Sequence, residues 1–183
     1  MPVKKGSFLI SSMHLEKGLF SRSVILLCDH SSRGSFGLII NKPLRMDFPE
    51  ELLSPETTRN SHITILSGGN IQPSQIMMLH SSDLAPEQTI PICDGVFLGG
   101  DVEFLQRQMT IAEGPQIRLC FGYCAWGAGQ LDQEVLSGAW FTHPGSQEHV
   151  FHTEFSQIWP SLLKSMGGKY ASLSMIPEDL SLN

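Results

Sequence analysis

The chain has 183 residues, of which 16% are charged, and 12 basic against 18 acidic side chains leave a net charge of −6. That length suits one domain, residues 1–183, able to bury roughly 70% of its unfolded surface without disulfide or metal staples. The acidic balance argues against a general nucleic-acid binder, and there is no run of about 18 apolar residues to span a membrane.

Ser7–Ser11 and Val24–Cys28 are apolar runs of strand length joined through the turn formers of His14–Gly18. Asp29–Gly34 is rich in turn residues and leads into Phe36–Ile40, closed by Asn41-Lys-Pro43, which predicts a hairpin with a loop of about five or six residues. The polar connection 44–60 has room for a short helix over Pro49–Leu53. His62–Leu66, Gln75–His80 and Val96–Leu98 read as further strands. Two strands end in paired glycines, Ser67-Gly-Gly-Asn70 and Leu98-Gly-Gly-Asp101, but the segments after the two pairs differ in pattern, which indicates reused turn chemistry rather than duplication.

Asp101 is placed to cap a helix carrying Val102, Leu105 and Met109 on one face. Ile117–Tyr123 alternates, with Ile117, Leu119, Phe121 and Tyr123 on the core side. The Gly-rich turn Gly122-Tyr-Cys-Ala-Trp-Gly-Ala-Gly-Gln-Leu131 comes next, with Gly122, Gly127 and Gly129 as its structural glycines. A helix over Gln130–Leu136 then ends at Gly138. Ala139–His143 resumes as a strand, and Trp159–Met166 reads as a helix with Pro160 at its first position and Gly167 past its end. The tail 172–183 is expected to be loosely held.

A strand, a Gly-rich turn and a helix N-terminus together suit an anion. Here Asp132 stands where the dinucleotide fingerprint needs its third glycine, and no Lys or Arg occurs from 119 to 163. Cys124, just ahead of a helix, is the best-placed thiol, with small apolar filler as the competing role. His143, His149 and His152 cluster in sequence without structural-zinc spacing, and no nucleophile elbow or His-Glu-x-x-His occurs. The residues therefore assign no catalytic group, metal or cofactor. Four scattered cysteines and an N-terminus too short for a signal-peptide core lead to the expectation of a reduced, cytoplasmic setting.

Phe8-Leu-Ile10, Phe20-Ser-Arg-Ser-Val-Ile25, Gly37-Leu-Ile-Ile-Asn-Lys-Pro43, Ser67-Gly-Gly-Asn70, Leu79-His-Ser81 and above all Gly122-Tyr-Cys-Ala-Trp-Gly-Ala-Gly-Gln-Leu-Asp-Gln-Glu134 resemble, in this order, the bacterial YqgE/AlgH family. The resemblance runs from about residue 6 to 168. Two departures are Cys124-Ala125, where the family usually has Ala-Gly, and Asn70, where it has Pro; thiol chemistry at Cys124 is thus not a family expectation. The resemblance implies an α+β fold, a mostly antiparallel split sheet curled into a pseudo-barrel with a few helices around it. It carries no established reaction, and one branch is named for a regulatory link to alginate synthesis.

The charged fraction lies well below the ~25% of ordinary soluble domains, so the surface is weakly defended against association. The leading expectation is a non-catalytic regulatory or partner-binding domain, with a protein partner or a homo-oligomer. A small-ligand binder or enzyme is the alternative, its pocket near Tyr123, Trp126, Gln130 and Glu134. Arg22, Ser23 and Asn41, from the family-like segments, join these four as ligand- or partner-binding candidates. Residues 1–45 carry seven basic side chains against Glu16 and Asp29, a net +5, which makes direct DNA binding through that segment the third reading.

Overall fold

The computed structural model describes residues 3–15, 17–44, 62–82, 88–111 and 113–176. Its strands are β1 (Ser7–Ser11), β2 (Val24–Ser31), β3 (Gly34–Ile39), β4 (Ile63–Ser67), β5 (Ile71–His80), β6 (Ile90–Cys93), β7 (Val96–Leu98), β8 (Ile117–Gly127) and β9 (Trp140–Pro144). The helices are α1 (Val102–Met109), α2 (Gln130–Leu136), α3 (Phe155–Met166) and α4 (Gly168–Leu173). One curled, mostly antiparallel sheet runs β6-β7-β5-β8-β3-β2-β1-β9, and β4 joins it parallel to β8. The expected α+β half-barrel is therefore present.

β8 organises the sheet. Its first half, Ile117–Phe121, pairs with β4 on one edge and β5 on the other. Its second half pairs with β3 through Cys124–Gly127, so β4 and β3 share one edge in succession. Since β4 and β5 flank opposite edges of β8, the link Gly68-Gly69-Asn70 crosses directly over the β8 backbone. A Cβ on Gly69 would lie 2.1 Å from the Tyr123 carbonyl carbon, and one on Gly68 would lie 2.4 Å from the Gly122 oxygen. Only glycine fits at that crossing.

Gly122 answers from the other side, at φ 71° with its own Cβ position 2.6 Å from the Gly69 oxygen. This left-handed residue reverses the alternation expected along the strand. Before it, Ile117 and Leu119 pack with Met78 and Phe104 under α1, while Cys120 faces the main core. After it, Tyr123 turns to the main core, and Cys124 and Trp126 pack with Leu9, Ile25 and Trp140. The strand thus runs through the stretch expected to turn, and the reversal of chain direction is confined to Ala128 and Gly129, which precedes α2 with φ 70°.

β1, β2 and β3 are buried on both faces, as their unbroken apolar runs require. Phe8, Ile10, Leu26 and Leu38 face the main core beneath α3, whereas Leu9, Ile25 and Ile39 face the second core. The hairpin loop is shorter than expected: β2 continues to Ser31 and β3 begins at Gly34, leaving Ser32 and Arg33 at the tip. The register slips between Leu27 and Asp29, and His30 is tied to Ser35 by a 2.8 Å hydrogen bond, so polar turn formers become strand residues. β6 escaped notice because Pro91 interrupts it on the sheet's edge.

Asp101 caps α1 as expected, accepting from the Phe104 N–H at 2.7 Å. α3 begins four residues earlier than expected, at Phe155, so Pro160 lies inside it. Its N-terminal end is fixed by Arg118, which is only 5% exposed. The guanidinium donates to the carbonyls of Phe151 (2.6 Å), Val150 (3.3 Å) and Ile117 (3.3 Å) and to the Thr64 hydroxyl (3.3 Å). It thereby binds the π-turn Glu148–His152 that feeds α3 to β8. The tail is held further than expected: Leu173 packs on the main core and the Ile176 carbonyl accepts from Arg22. The helix expected over Pro49–Leu53 and the tail from 177 lie outside the described residues.

The crossing predicts a graded response to added methyl groups. Gly122→Ala and Gly69→Ala should each lose about 2–4 kcal/mol in urea unfolding, from overpacking and, at position 122, backbone strain. Gly18→Ala, at φ 74° but in open space, should lose only about 1 kcal/mol. Equal losses at the three positions would contradict the crossing.

Candidate functional site

The candidates do not converge on one place. Trp126, Gln130 and Glu134 come together with a fourth residue that sequence reading missed, Trp140. The Glu134 carboxylate accepts both indole N–H groups through Oε2, from Trp126 at 2.9 Å and Trp140 at 2.8 Å. Its Oε1 accepts from the Gln130 amide at 2.9 Å, and Gln130 Oε1 accepts from the Gly127 N–H at 3.0 Å. The two indoles meet edge-on at 6.2 Å. This closed set of hydrogen bonds fastens α2 to β8 and β9. Tyr123 lies on the other face of the sheet, edge-on to Phe36 at 5.7 Å. These four residues therefore do not line one pocket, because Tyr123 and Trp126 are three apart along β8 and ordinary strand alternation sends them to opposite faces.

Cys124 sits beneath the glycine crossing, 2% exposed, its thiol 3.7 Å from the Gly68 carbonyl. Burial pushes its pKa up to about 12, opposite to the lowering expected ahead of a helix, with the Asn70 backbone offsetting part of the rise. Burial likewise raises Cys120 to about 12 and Cys93 to about 11. The three histidines near the C-terminal half are spread over β9 and the π-turn; His143 meets Ser165 at 3.2 Å and His149 meets Ser146 at 2.8 Å.

Arg22, Ser23 and Asn41 do come together, where β2 begins and β3 ends. Arg22 is one of two non-glycine residues with positive φ among the described residues, at 48°. Such a conformation persists only when its surroundings enforce it. Asn41 does so with both ends of its amide, Nδ2 donating to the Arg22 carbonyl at 2.8 Å and Oδ1 accepting from the Val24 N–H at 2.9 Å. Ser23 adds a 2.9 Å bond to the Phe20 carbonyl. The Arg22 guanidinium is carried over the Trp159 ring, 4.9 Å from its centroid. Trp159 is fixed in turn, donating to the Ser11 carbonyl at 3.0 Å.

Between this turn and the start of α3 lies a cleft of about 410 Å³. Arg22, Lys42, Glu154, Ser156, Trp159 and Pro160 shape it. Its volume lies in the range of small-molecule and peptide sites. Lys42, Glu154, Ser156 and Trp159 were not singled out in sequence, because Lys42 lies more than a hundred residues from the other three and no local motif joins them. Of the basic residues in the first 45, Arg22 and Lys42 stand at one end of β2 and Arg33 at the other, roughly 26 Å away.

The half-barrel is of a known class, which comparison with known proteins identifies. A family model described as DUF179, AlgH-like, matches residues 8–171. The chain belongs to this AlgH-like family. It is 49% identical over 181 residues to a UPF0301 protein of Chlamydia pneumoniae, covering 99% of this chain and 96% of the relative. A UPF0301 protein of Chlorobium limicola is 32% identical over 183 residues, covering 99% of this chain and 96% of that one. The solution structure of AlgH from Pseudomonas aeruginosa superposes with a TM-score of 0.72 at 28% identity, covering 97% of this chain and 96% of that one. A crystal structure of a protein from Corynebacterium diphtheriae shares the fold, with a TM-score of 0.75 at 20% identity and coverage of 96% and 94%. Among the described residues no helix is long and apolar enough to cross a membrane.

Two outcomes test this description. Glu134→Ala leaves two indole donors without their carboxylate and should cost about 2–4 kcal/mol in chemical unfolding, with changed tryptophan emission. The thiols set an alkaline limit. Their folded pKa values are raised above the unfolded 9.0, so neutral burial stabilises below pH 9, and that stability is lost as pH climbs towards about 12. The melting temperature should fall across that window, and Cys124→Ala should reduce the slope.

Proposed function

We propose that this AlgH-like protein is a non-catalytic, cytoplasmic binding domain with a regulatory role, and that the cleft beside Arg22 receives its partner segment or ligand. The observation that carries the reading is Arg22 itself: a residue in costly left-handed backbone, enforced by Asn41, whose guanidinium is spread over a buried indole at a concave surface. Strain of this kind gathers where a side chain must be aimed. The indole-carboxylate brace serves binding poorly, since Trp126, Trp140 and Glu134 already satisfy one another. The low charge content supports a protein partner, and the family's regulatory association agrees with it.

Chemistry at the cleft has less support. The thiols lie away from it, with Cys124, Cys120 and Cys28 buried in the two cores. A photo-crosslinking residue at position 156, at the cleft, is expected to trap a discrete adduct in cells, whereas one at the exposed position 136 is not. Lys42→Glu should abolish the adduct, with circular dichroism checking that the variant stays folded. Adducts of equal yield from both positions, or an adduct indifferent to Lys42→Glu, would remove the cleft from consideration.

A further inference from the structure

Leu79-His-Ser81 is the family-like segment that neither the cleft nor the brace absorbs, and its histidine is completely buried. His80 lies under the start of α1. Its ring stacks on Phe97, the residue opposite it on β7, with 5.6 Å between centroids, and Phe104 of α1 tilts over it at 5.0 Å. Both ring nitrogens are committed. Nδ1 accepts from the Ser82 N–H at 3.3 Å, which leaves the proton of the neutral ring on Nε2, 3.5 Å from the Thr89 hydroxyl. A second proton has to enter at Nδ1, where it meets an N–H in place of an acceptor. No charged group among the described residues faces the ring. β7 presents Phe97 and α1 presents Phe104, while Asp101, Glu103 and Arg107 of the helix are exposed. On β8 Ile117 stands opposite, and Arg118 beside it binds the π-turn carbonyls on the other face. His62, also buried, is at the far end of the helix, where its Nε2 donates to the Gln108 carbonyl at 3.0 Å.

The helix above this ring is lightly attached. Of the eight residues of α1 only Phe104 and Met109 are buried, and Val102 is 60% exposed. The cluster beneath it, Met78, Phe104, Ile117 and Leu119, is the smallest of the three cores. An element with so few apolar contacts opens at lower cost than the body of a sheet. The chain enters α1 through Gly99 and Gly100, both at positive φ, 129° and 101°. That pair is packed against the residues His80 holds: a Cβ on Gly99 would lie 2.6 Å from the Gln88 oxygen and 3.1 Å from the Thr89 Cα. Ring, Thr89, glycine pair and helix therefore form one contiguous linkage.

We propose that α1 is an acid-released cover: protonation of His80 detaches the helix from the sheet, with Gly99 and Gly100 as the hinge, and uncovers Met78, Ile117 and Leu119. The imidazolium loses the Ser82 bond and has no counter-ion between Phe97 and Phe104, whereas swinging α1 away brings it to water. Burial holds His80 below its ordinary 6.5, so the neutral ring stabilises the closed helix above pH 6.5, and that contribution is lost as pH falls below it. Because the open form titrates near its ordinary value, the open population rises by up to about 25-fold between pH 7 and pH 5. This device is separate from the cleft and does not depend on what the cleft binds.

Hydrogen exchange of the isotope-labelled full chain at pH 7 and pH 5 tests this, read as protection factors so that the intrinsic exchange rate is divided out. The α1 amides from Leu105 to Met109 should lose protection by up to about 25-fold on acidification, and at both pH values they should be less protected than Leu9 and Leu26 in the sheet. His80→Phe, which keeps an aromatic ring between Phe97 and Phe104, should make α1 protection the same at both pH values. The unaltered chain supplies a readout that decides the matter even if this variant fails to fold: the imidazole carbon resonance of His80 should move along the same pH curve as the loss of α1 protection. Four results would each overturn the proposal. They are α1 amides as protected as Leu9 and Leu26 at both pH values, so that the domain opens only as a whole; protection that does not change with pH; a loss that survives in His80→Phe; and an imidazole that titrates while α1 stays closed.

Discussion

The rest of the structure depends on two glycines passing over a strand. β4 and β5 flank opposite edges of β8, so their link must span two interstrand spacings, about 9.6 Å, as well as rise over the strand between. Ser67 to Ile71 is four Cα steps, about 14 Å at full extension, which leaves almost no slack for a detour. The chain has to go straight across in backbone contact, and any Cβ at positions 68 or 69 would enter β8 itself. β8 is thus held from both edges and, at Gly122 to Cys124, from above.

The geometry beyond the crossing depends on it. Gly122 yields to the Gly69 carbonyl by taking positive φ, and this turns Cys124 and Trp126 to the second core instead of the first. Trp126 can then meet Trp140 and share the Glu134 carboxylate. Trp140 touches Phe20 edge-on at 5.7 Å, and the Phe20 carbonyl accepts from Ser23, next to Arg22. Ser11 completes the circuit: it stands opposite Trp140 in the β1–β9 register, its N–H donates to the Ser23 carbonyl, and its own carbonyl accepts from Trp159. The brace and the cleft, on opposite sides of the sheet, are thus held by the same few residues at the end of β1.

Much of this architecture was legible in the sequence, and the remainder escaped for definite reasons. Runs such as Phe8-Leu-Ile10 and Val24–Leu27 announce strands buried on both faces, and Asp101 announces its helix, because those signals are local. Alternation along β8 misled at one residue, since periodicity carries no sign that a glycine will change parity. Paired glycines read as turns because sequence does not distinguish a glycine needed for positive φ, as at Gly99 and Gly100, from one needed for close approach, as at Gly68 and Gly69. Arg22, Ser23 and Asn41 were found through family-like segments, and their grouping is real. Glu154, Ser156 and Trp159 were not, because only the fold brings the start of α3 to the end of β3.

A long sequence signature invites the search for a reaction at its residues, and here the physical accounts diverge. Binding free energy comes from polar groups that exchange water for ligand, and a group already bonded within the protein has little to exchange. Along Trp126, Gly127, Gln130 and Glu134, donors and acceptors are matched to one another, so the signature records the geometry of a crossing and a brace. The Arg22 turn differs in its backbone, where a non-glycine residue takes positive φ. Asn41 spends its whole amide on the backbone of Arg22 and Val24, so that the side chain of Arg22, not its main chain, faces the cleft. Backbone strain at a residue whose side chain borders a concave surface is the support for the proposal that the cleft beside Arg22 receives a ligand or partner segment.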